Sequence, residues 1–192
     1  MIDANESIKI HRERGGAIYF VRHGQTDDDL TEQAGKVVSE NDMPLNDTGI
    51  MQAQKIAKTL RNSKIDIILT SPYKKAVQTA EIINKYHNVL VLTELELRKR
   101  EGTVKYKKSW RETFDVNRKP SPNGESVGDF FTRIGTVIDK IKKEHNGKNV
   151  LIVSHGSVGH GFYVYFNNLS WKSNSQFDPL DNCDFRKYQF NN

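Results

Sequence analysis

Short apolar, β-rich runs alternate with amphipathic helical segments along most of this chain, and this alternation restricts the fold more than any other feature. The runs cover residues 17–21, 65–69, 89–92 and 149–153. The segments between them place apolar side chains on one face of a helix. Such alternation predicts a mostly parallel sheet with helices on both faces. We therefore expect an α/β protein, a three-layer α/β/α sandwich with a mostly parallel central sheet.

Capping residues and prolines predict where the elements begin and end. Thr48 is expected to cap a helix, and Pro72 fits the first turn of the next one. A long amphipathic helix is predicted from Glu125 to about Glu144, and a final edge strand between Asp184 and Phe190.

The length of 192 residues suits one domain with a sizeable core. We expect a single domain over residues 1–192, in which residues 1–14 are a polar lead-in and residues 98–123 form a long, lid-like loop. Long loops in compact domains are usually functional or disordered.

Composition narrows the possible partners. The formal net charge of +5 suits an anionic substrate or weak, unspecific contact with nucleic acid. The sequence has neither the Cys and His spacing of a zinc-binding module nor aromatic residues interleaved with basic ones. We therefore expect no nucleic-acid-binding module. No stretch approaches the ~20 apolar residues of a membrane span, and the N-terminus has no apolar signal core. A single cysteine, Cys183, favours a reducing compartment, and we expect a cytoplasmic protein with no membrane partner.

Polar residues follow three of the predicted strands. His23-Gly24 ends the first strand run, His155-Gly156 ends the last, and Ser71 ends the second. Because the carboxyl ends of parallel strands lie at one rim of a sheet, we expect these side chains to meet there.

A histidine at such a rim can serve phosphate chemistry. Imidazole is a nucleophile towards phosphorus when cationic neighbours neutralise the phosphoryl oxygens. Arg22 supplies a planar, permanently charged fork for those oxygens. One His-Gly at a strand end is more often structural, but two of them, one preceded by arginine, favour a catalytic site.

The run Arg22–Thr26 (RHGQT) resembles the signature of the histidine phosphatase (phosphoglycerate mutase-like) superfamily. Further resemblance follows in the family's order at residues 44–53, 71–80, 124–133 and 153–156. These motifs are specific for the superfamily but not for a substrate.

The resemblance implies a phosphatase acting on a small phosphorylated substrate. His23 would take the phosphoryl group as a phosphohistidine, which water then hydrolyses. Arg22 and His155 would hold the phosphoryl oxygens, and Gln25 or Thr26 would line the same pocket. The family needs no metal or other cofactor.

Three positions depart from the family's pattern. Lys75 stands where arginine is usual, which keeps the charge but loses bidentate geometry. Asp29 stands where asparagine is usual, and its carboxylate would repel phosphate unless it points away or is protonated. Lys99 stands where the family has the glutamate that donates a proton to the leaving group.

The proton donor is therefore the uncertain part of the site. Lysine is a poor acid for an alkoxide at neutral pH. Glu101 lies two residues after Lys99, and we select it as the acid; Glu96, Glu94 and Asp29 are the alternatives.

Two other functions stay open. One is a phospho-ligand-binding or scaffolding protein with little turnover, and the other is a phosphoglycerate-type mutase. A carboxylate on the leaving-group side of His23 would favour an enzyme, and hydrolysis of an aryl phosphate, whose leaving group needs little protonation, distinguishes the cases.

Overall fold

The computed structural model of the protein describes residues 15–33, 42–100, 114, 124–172 and 179–190, and its centre is one five-stranded sheet. The strand order is β3-β2-β4-β1-β5, with β1 to β4 parallel and β5 antiparallel at the edge beside β1. The strands are β1 (Ala17–Arg22), β2 (Ile67–Thr70), β3 (Val91–Thr93), β4 (Asn149–Ser154) and β5 (Phe185–Gln189). The mostly parallel sheet and the final edge strand confirm both predictions.

Helices connect the parallel strands. They are α1 (Asp27–Gln33), α2 (Asp47–Leu60), α3 (Lys74–Asn84), α4 (Val127–Glu144) and α5 (Gly156–Phe166), with a short 3₁₀ helix at Leu95–Leu97. Within the described residues, no helix is long and apolar enough to cross a membrane.

The core has two parts, one on each face of the sheet. Along β1, Ile18 and Phe20 pack with the apolar faces of α4 and α5. Tyr19 and Val21 point the other way and pack with α2 and α3. This alternation is what a strand buried on both faces requires, since successive side chains point to opposite sides. The three-layer α/β/α sandwich is thus confirmed.

Several element boundaries differ from the predicted ones because side chains bond locally to the backbone. Asn46, not Thr48, caps α2, since the Asn46 side chain accepts a hydrogen bond of 2.9 Å from Gly49 N. Ser126 caps α4 by accepting from Asp129 N, so this helix begins after Glu125. Such caps satisfy helix N–H groups that have no partner within the helix.

The start of β3 shifts for a similar reason. The Asn84 side chain bonds to both the N–H and the carbonyl of Val89, each at 2.9 Å. Val89 therefore ends the turn after α3, and the strand begins at Val91 instead of residue 89.

Candidate active site

The pairing of the central strands brings the predicted rim residues together. Arg22 pairs with Ser154 between β1 and β4, so His23 and His155 leave the sheet side by side. Thr70 pairs with Val153 between β2 and β4, which brings Ser71 to the same edge. The rim expected from the strand ends is therefore formed by neighbouring strands.

The two histidines are buried and in ring contact. Their ring centroids are 5.2 Å apart and the rings meet edge to face. Ser71 Oγ lies 2.8 Å from His155 Nε2, and the Tyr73 ring packs edge-on against His155 at 5.3 Å. These contacts fix the orientation of the His155 ring.

One ring nitrogen of His23 is available for chemistry. Its Nδ1 lies 2.8 Å from the carbonyl oxygen of Gly24. A carbonyl only accepts, so Nδ1 carries the proton and Nε2 keeps its lone pair. Burial, followed by the charges of Lys75 and Arg22, lowers the pKa of His23 well below its ordinary value. His23 is thus neutral at neutral pH, as a nucleophile must be.

The backbone after β1 approaches the start of α2 closely. A Cβ on Gly24 would lie 2.5 Å from Gly49 O, and a Cβ on Gly49 would lie 2.1 Å from Gln25 O. Only glycine fits at both positions. The Gly24 N–H also donates to Thr79 Oγ1 at 3.1 Å, so the loop that follows His23 is held by α2 and α3 together.

Gly49→Ala is expected to destabilise the protein by about 1–3 kcal/mol, the usual cost of overpacking. The new methyl group would push the backbone at Gln25 and displace His23, so kcat should fall as well. Gly135→Ala is the matched control, because a Cβ there meets nothing closer than 4.0 Å. That helical substitution should stabilise by about 0.5–1 kcal/mol. Urea unfolding measures both, and equal effects of the two variants would contradict the account.

Gln25 and Thr26, predicted to line the phosphate pocket, make hydrogen bonds within the fold. The Gln25 N–H donates to Gln52 Oε1, and Gln25 Oε1 accepts from Asn46 Nδ2. The N–H and the hydroxyl of Thr26 both donate to Asp29 Oδ2 at 2.8 Å. Thr26 and Asp29 therefore form a capping box at the start of α1. Both Thr26 donors are used there, and its role at the phosphate pocket stays a prediction.

Arg22 is held in place by Asp29 and by a distant backbone carbonyl. Its Nη2 lies 3.0 Å from Asp29 Oδ1, and its Nη1 donates to Leu180 O at 2.8 Å. The Nε–H is buried and has no hydrogen-bond partner among the described residues. The Asp29 carboxylate thus bonds to Arg22 and Thr26. The aspartate that replaces the family's usual asparagine therefore orients the arginine.

Lys75 carries an unpaired charge into the site from the first turn of α3. The side chain is buried, and its ammonium makes no hydrogen bond or ion pair with the part of the chain that the structure describes. Burial is the main cause that lowers the pKa of Lys75, and the charge of Asp29 opposes it. A buried ammonium without a partner is unfavourable, and a bound anion would relieve that cost.

Lys75→Met should raise stability at neutral pH by about 0.5–2 kcal/mol. In the folded protein, the pKa of Lys75 lies below the ordinary value of 10.5. At pH values between these two pKa values, the unfolded chain binds more protons than the folded one, so stability rises with pH there. Below both pKa values Lys75 is charged in either state, and its buried charge opposes folding in full. Binding of vanadate, a phosphate-like oxyanion, should weaken by about 1.5–3 kcal/mol.

Thermal unfolding and vanadate titration measure both effects of Lys75→Met. Lys75→Arg should keep or tighten vanadate binding, and Lys74→Met, at the exposed neighbouring position, should change neither quantity. Unchanged vanadate binding in Lys75→Met would place the residue outside the pocket.

Of the carboxylates considered as proton donors, Asp29 lies beside the histidine pair: its Oδ2 is 4.0 Å from His23 Nδ1, and its two oxygens also bond to Arg22 and Thr26. Glu101 lies outside the described residues. Glu94 binds Lys140 at 2.6 Å, and Glu96 binds Arg98 at 3.2 Å. The positively charged Lys99 reaches the site instead, with its Nζ 5.5 Å from the centroid of the Tyr73 ring.

The geometry suits an anion more than a metal ion. Among the residues described, no group of three or more His, Cys, Asp or Glu side chains could hold a metal. Burial lowers the pKa of His155 as well, and the neighbouring charges of Lys75 and Lys99 lower it further. Two neutral imidazoles beside arginine and lysine are an arrangement that stabilises phosphoryl oxygens.

Sequence reasoning missed the contribution of the segment before β5. Asn182 Nδ2 donates to His23 O at 3.1 Å, and Cys183 N donates to Arg22 O at 3.0 Å. These contacts hold the backbone of Arg22 and His23 in place, although Asn182 lies 159 residues from His23 in the sequence. Both contacts have backbone carbonyls as acceptors, and a backbone acceptor leaves no residue pattern to recognise.

Comparison with known proteins agrees with this geometry. Residues 18–192 match the family model of the histidine phosphatase superfamily (branch 1). The chain is 33% identical over 145 residues to a protein of Bacillus subtilis named uncharacterized phosphatase PhoE, covering 75% of this chain and 74% of the relative. It is 32% identical over 161 residues to phosphoglycerate mutase-like protein 4 of Arabidopsis thaliana, covering 76% and 69%.

Solved structures share the fold at lower identity. A putative alpha-ribazole-5'-P phosphatase from Escherichia coli has a TM-score of 0.77 at 20% identity, covering 92% of this chain and 91% of that one. A mycobacterial glucosyl-3-phosphoglycerate phosphatase has a TM-score of 0.74 at 18% identity, covering 90% of each.

Proposed function

The chain belongs to branch 1 of the histidine phosphatase superfamily, and we propose that it hydrolyses a small phosphomonoester through a phosphohistidine formed on His23. Phosphatase and phosphoglycerate mutase are the activities named among its relatives. Hydrolysis, rather than transfer between two positions of one substrate, is the reaction proposed here.

The observation that carries the proposal is the state of His23. The Gly24 carbonyl accepts the Nδ1 proton and so directs the Nε2 lone pair away from the backbone. The lowered pKa keeps that lone pair unprotonated. A buried, oriented and neutral imidazole is a competent nucleophile without further activation.

Cationic groups beside His23 supply the second requirement. Arg22 Nε is a buried donor without a partner among the described residues, and the Lys75 ammonium, on a buried side chain, makes no hydrogen bond or ion pair there. Phosphoryl transfer depends mainly on positioning and on neutralising the charge of the equatorial oxygens. Arg22, Lys75 and His155 are proposed to perform this neutralisation.

The reaction then has two steps. In the first, His23 Nε2 forms a bond to phosphorus while the ester P–O bond breaks, and its electron pair departs with the leaving oxygen. In the second, a water oxygen attacks phosphorus, the N–P bond breaks, and inorganic phosphate leaves with the water proton passed to solvent. His23 returns to its starting state.

Rapid quenching tests the proposal. Milliseconds after mixing with a ³²P-labelled aryl phosphate, the protein should carry label that is stable to alkali and labile to acid, as a phosphoramidate is. Peptide mapping should place the label at His23. An alkali-labile label, or a label on another residue, would refute the phosphohistidine.

A binding protein with little turnover is the second candidate, because the carboxylates Glu94 and Glu96 are engaged in ion pairs. It predicts tight vanadate binding with neither label nor turnover. The quench experiment therefore separates the two functions.

A further inference from the structure

The segment that carries Lys99 is anchored on both sides of that residue. Ser154 Oγ donates to Leu97 O at 2.6 Å, directly beside His155. Arg100 donates from Nε and Nη2 to Glu125 O at 3.1 and 3.0 Å. These bonds tie residues 97–100 to the end of β4 and to the start of α4, so the position of Lys99 is set before any substrate binds.

Lys99 extends towards the histidine pair. Its Nζ lies over the ring of Tyr73, and that ring packs edge-on against His155. Apart from this ring contact, the ammonium has no hydrogen bond or ion pair with the described residues. Its positive charge also contributes to the lowered pKa of both His23 and His155.

Three cations act on the histidine pair: Arg22, Lys75 and Lys99. The charges of Lys75 and Arg22 act on His23 more strongly than the charge of Lys99 does. In an in-line displacement the leaving oxygen lies opposite the nucleophile. Arg22 and Lys75 are assigned to the phosphoryl oxygens above, which leaves Lys99, on the Tyr73 side of His155, for the leaving oxygen.

Four described carboxylates are held in ion pairs, and the one beside His23, Asp29, faces its Nδ1 at 4.0 Å. Asp29 binds Arg22, and Glu125 receives two hydrogen bonds of 2.7 Å from Arg133. Glu94 and Glu96 are paired as described above. An alkoxide leaves poorly unless an acid protonates it, whereas a stable anion leaves without a proton.

Resting on the phosphatase function above, we propose that Lys99 contacts the leaving oxygen and restricts efficient turnover to phosphoryl compounds whose leaving group departs as a stable anion. Aryl phosphates, acyl phosphates and phosphoanhydrides form this class. His23 Nε2 forms the N–P bond, the P–O bond breaks, and the departing phenoxide, carboxylate or phosphate keeps the electron pair. The Lys99 ammonium stabilises that charge without giving up its proton.

Steady-state kinetics on a series of aryl phosphates of graded phenol acidity, with glycerol 2-phosphate as the alkyl ester, test the proposal. For the native protein, kcat/KM should favour the most reactive aryl phosphate by at least about 10²-fold, the usual contribution of general acid catalysis. Lys99→Gln should lower kcat on all aryl esters and make the rate depend more steeply on phenol acidity. Lys99→Glu should raise the alkyl-to-aryl ratio at least about tenfold, because a carboxyl group can protonate the alkoxide.

Two further variants make the outcomes decisive. Lys187→Gln is the matched control, since Lys187 lies over the Tyr19 ring at 5.1 Å on β5 and should leave the ratio unchanged. Glu101→Gln should also leave it unchanged; a selective loss of alkyl turnover there would make Glu101 the acid and overturn the role of Lys99.

Two other results would overturn the role of Lys99. One is a native protein that hydrolyses aryl and alkyl esters at similar rates, and the other is an alkyl-to-aryl ratio that Lys99→Glu leaves unchanged. If the native protein labels on His23 in these cases, the phosphatase function stands and only the inference about Lys99 fails. Absence of both label and turnover on every substrate would instead refute the phosphatase function itself.

Discussion

His23→Ala is expected to lower kcat for aryl phosphate hydrolysis by about 10⁴–10⁶-fold, the range found when a covalent nucleophile is removed. The neighbouring cations would still bind the substrate, but no group would form the N–P bond. The acid-labile label should disappear together with turnover. Stopped-flow assays with rapid quenching measure both quantities on the same sample.

Two controls separate lost chemistry from lost structure. His87→Ala replaces a histidine in the turn after α3 and should retain native turnover. His23→Asn keeps a polar side chain in the buried site and should retain vanadate binding while losing the label. Label retained by His23→Ala would show that another residue is the nucleophile.

Arg22→Ala should reduce both activity and stability, for separate reasons. Loss of the guanidinium removes a donor to the phosphoryl oxygens, which typically costs about 10²–10³-fold in kcat. The same change leaves the buried Asp29 without its ion-pair partner at 3.0 Å. Breaking a buried pair by removing one side costs about 3–5 kcal/mol of unfolding free energy.

The double variant Arg22→Ala with Asp29→Asn separates these effects. Replacing the unpaired Asp29 carboxylate by an amide should recover much of the unfolding free energy measured in urea, while kcat stays low. The amide oxygen that replaces the carboxylate in that variant can still accept a hydrogen bond from Thr26. Recovery of activity alongside stability would mean that Arg22 serves only to neutralise Asp29.

The sequence predicted the fold because local patterns and burial agree with each other. The apolar run before Arg22 has the composition of a strand buried on both faces, and the structure places it inside the sheet, between β4 and β5. The predicted cap of α2, Thr48, was wrong: Asn46 caps the helix, and both are good capping residues only two positions apart. The choice between them depends on hydrogen-bond geometry, which residue types do not encode.

The sequence predicted that the two histidines meet, but it did not predict the contacts that surround them. His23 and His155 each end a strand, so topology alone brings them together. The direction of Asp29 depends on its bond to Arg22, and either orientation was compatible with the sequence. Lys99 was recognised only as a departure from the family, because nothing in the sequence shows that its neighbours anchor it.

The strand order also restricts when the site can form during synthesis. His23, the proposed nucleophile, directly follows β1, whose two neighbours in the sheet are β4 and β5. A nascent chain that ends before Asn149 contains His23 yet lacks both strands that pair with β1. Contacts so distant in sequence form slowly and expose unpaired strand edges meanwhile. The proposed phosphoryl site therefore cannot assemble on the ribosome until β4 and β5 have been synthesised, long after His23 has emerged.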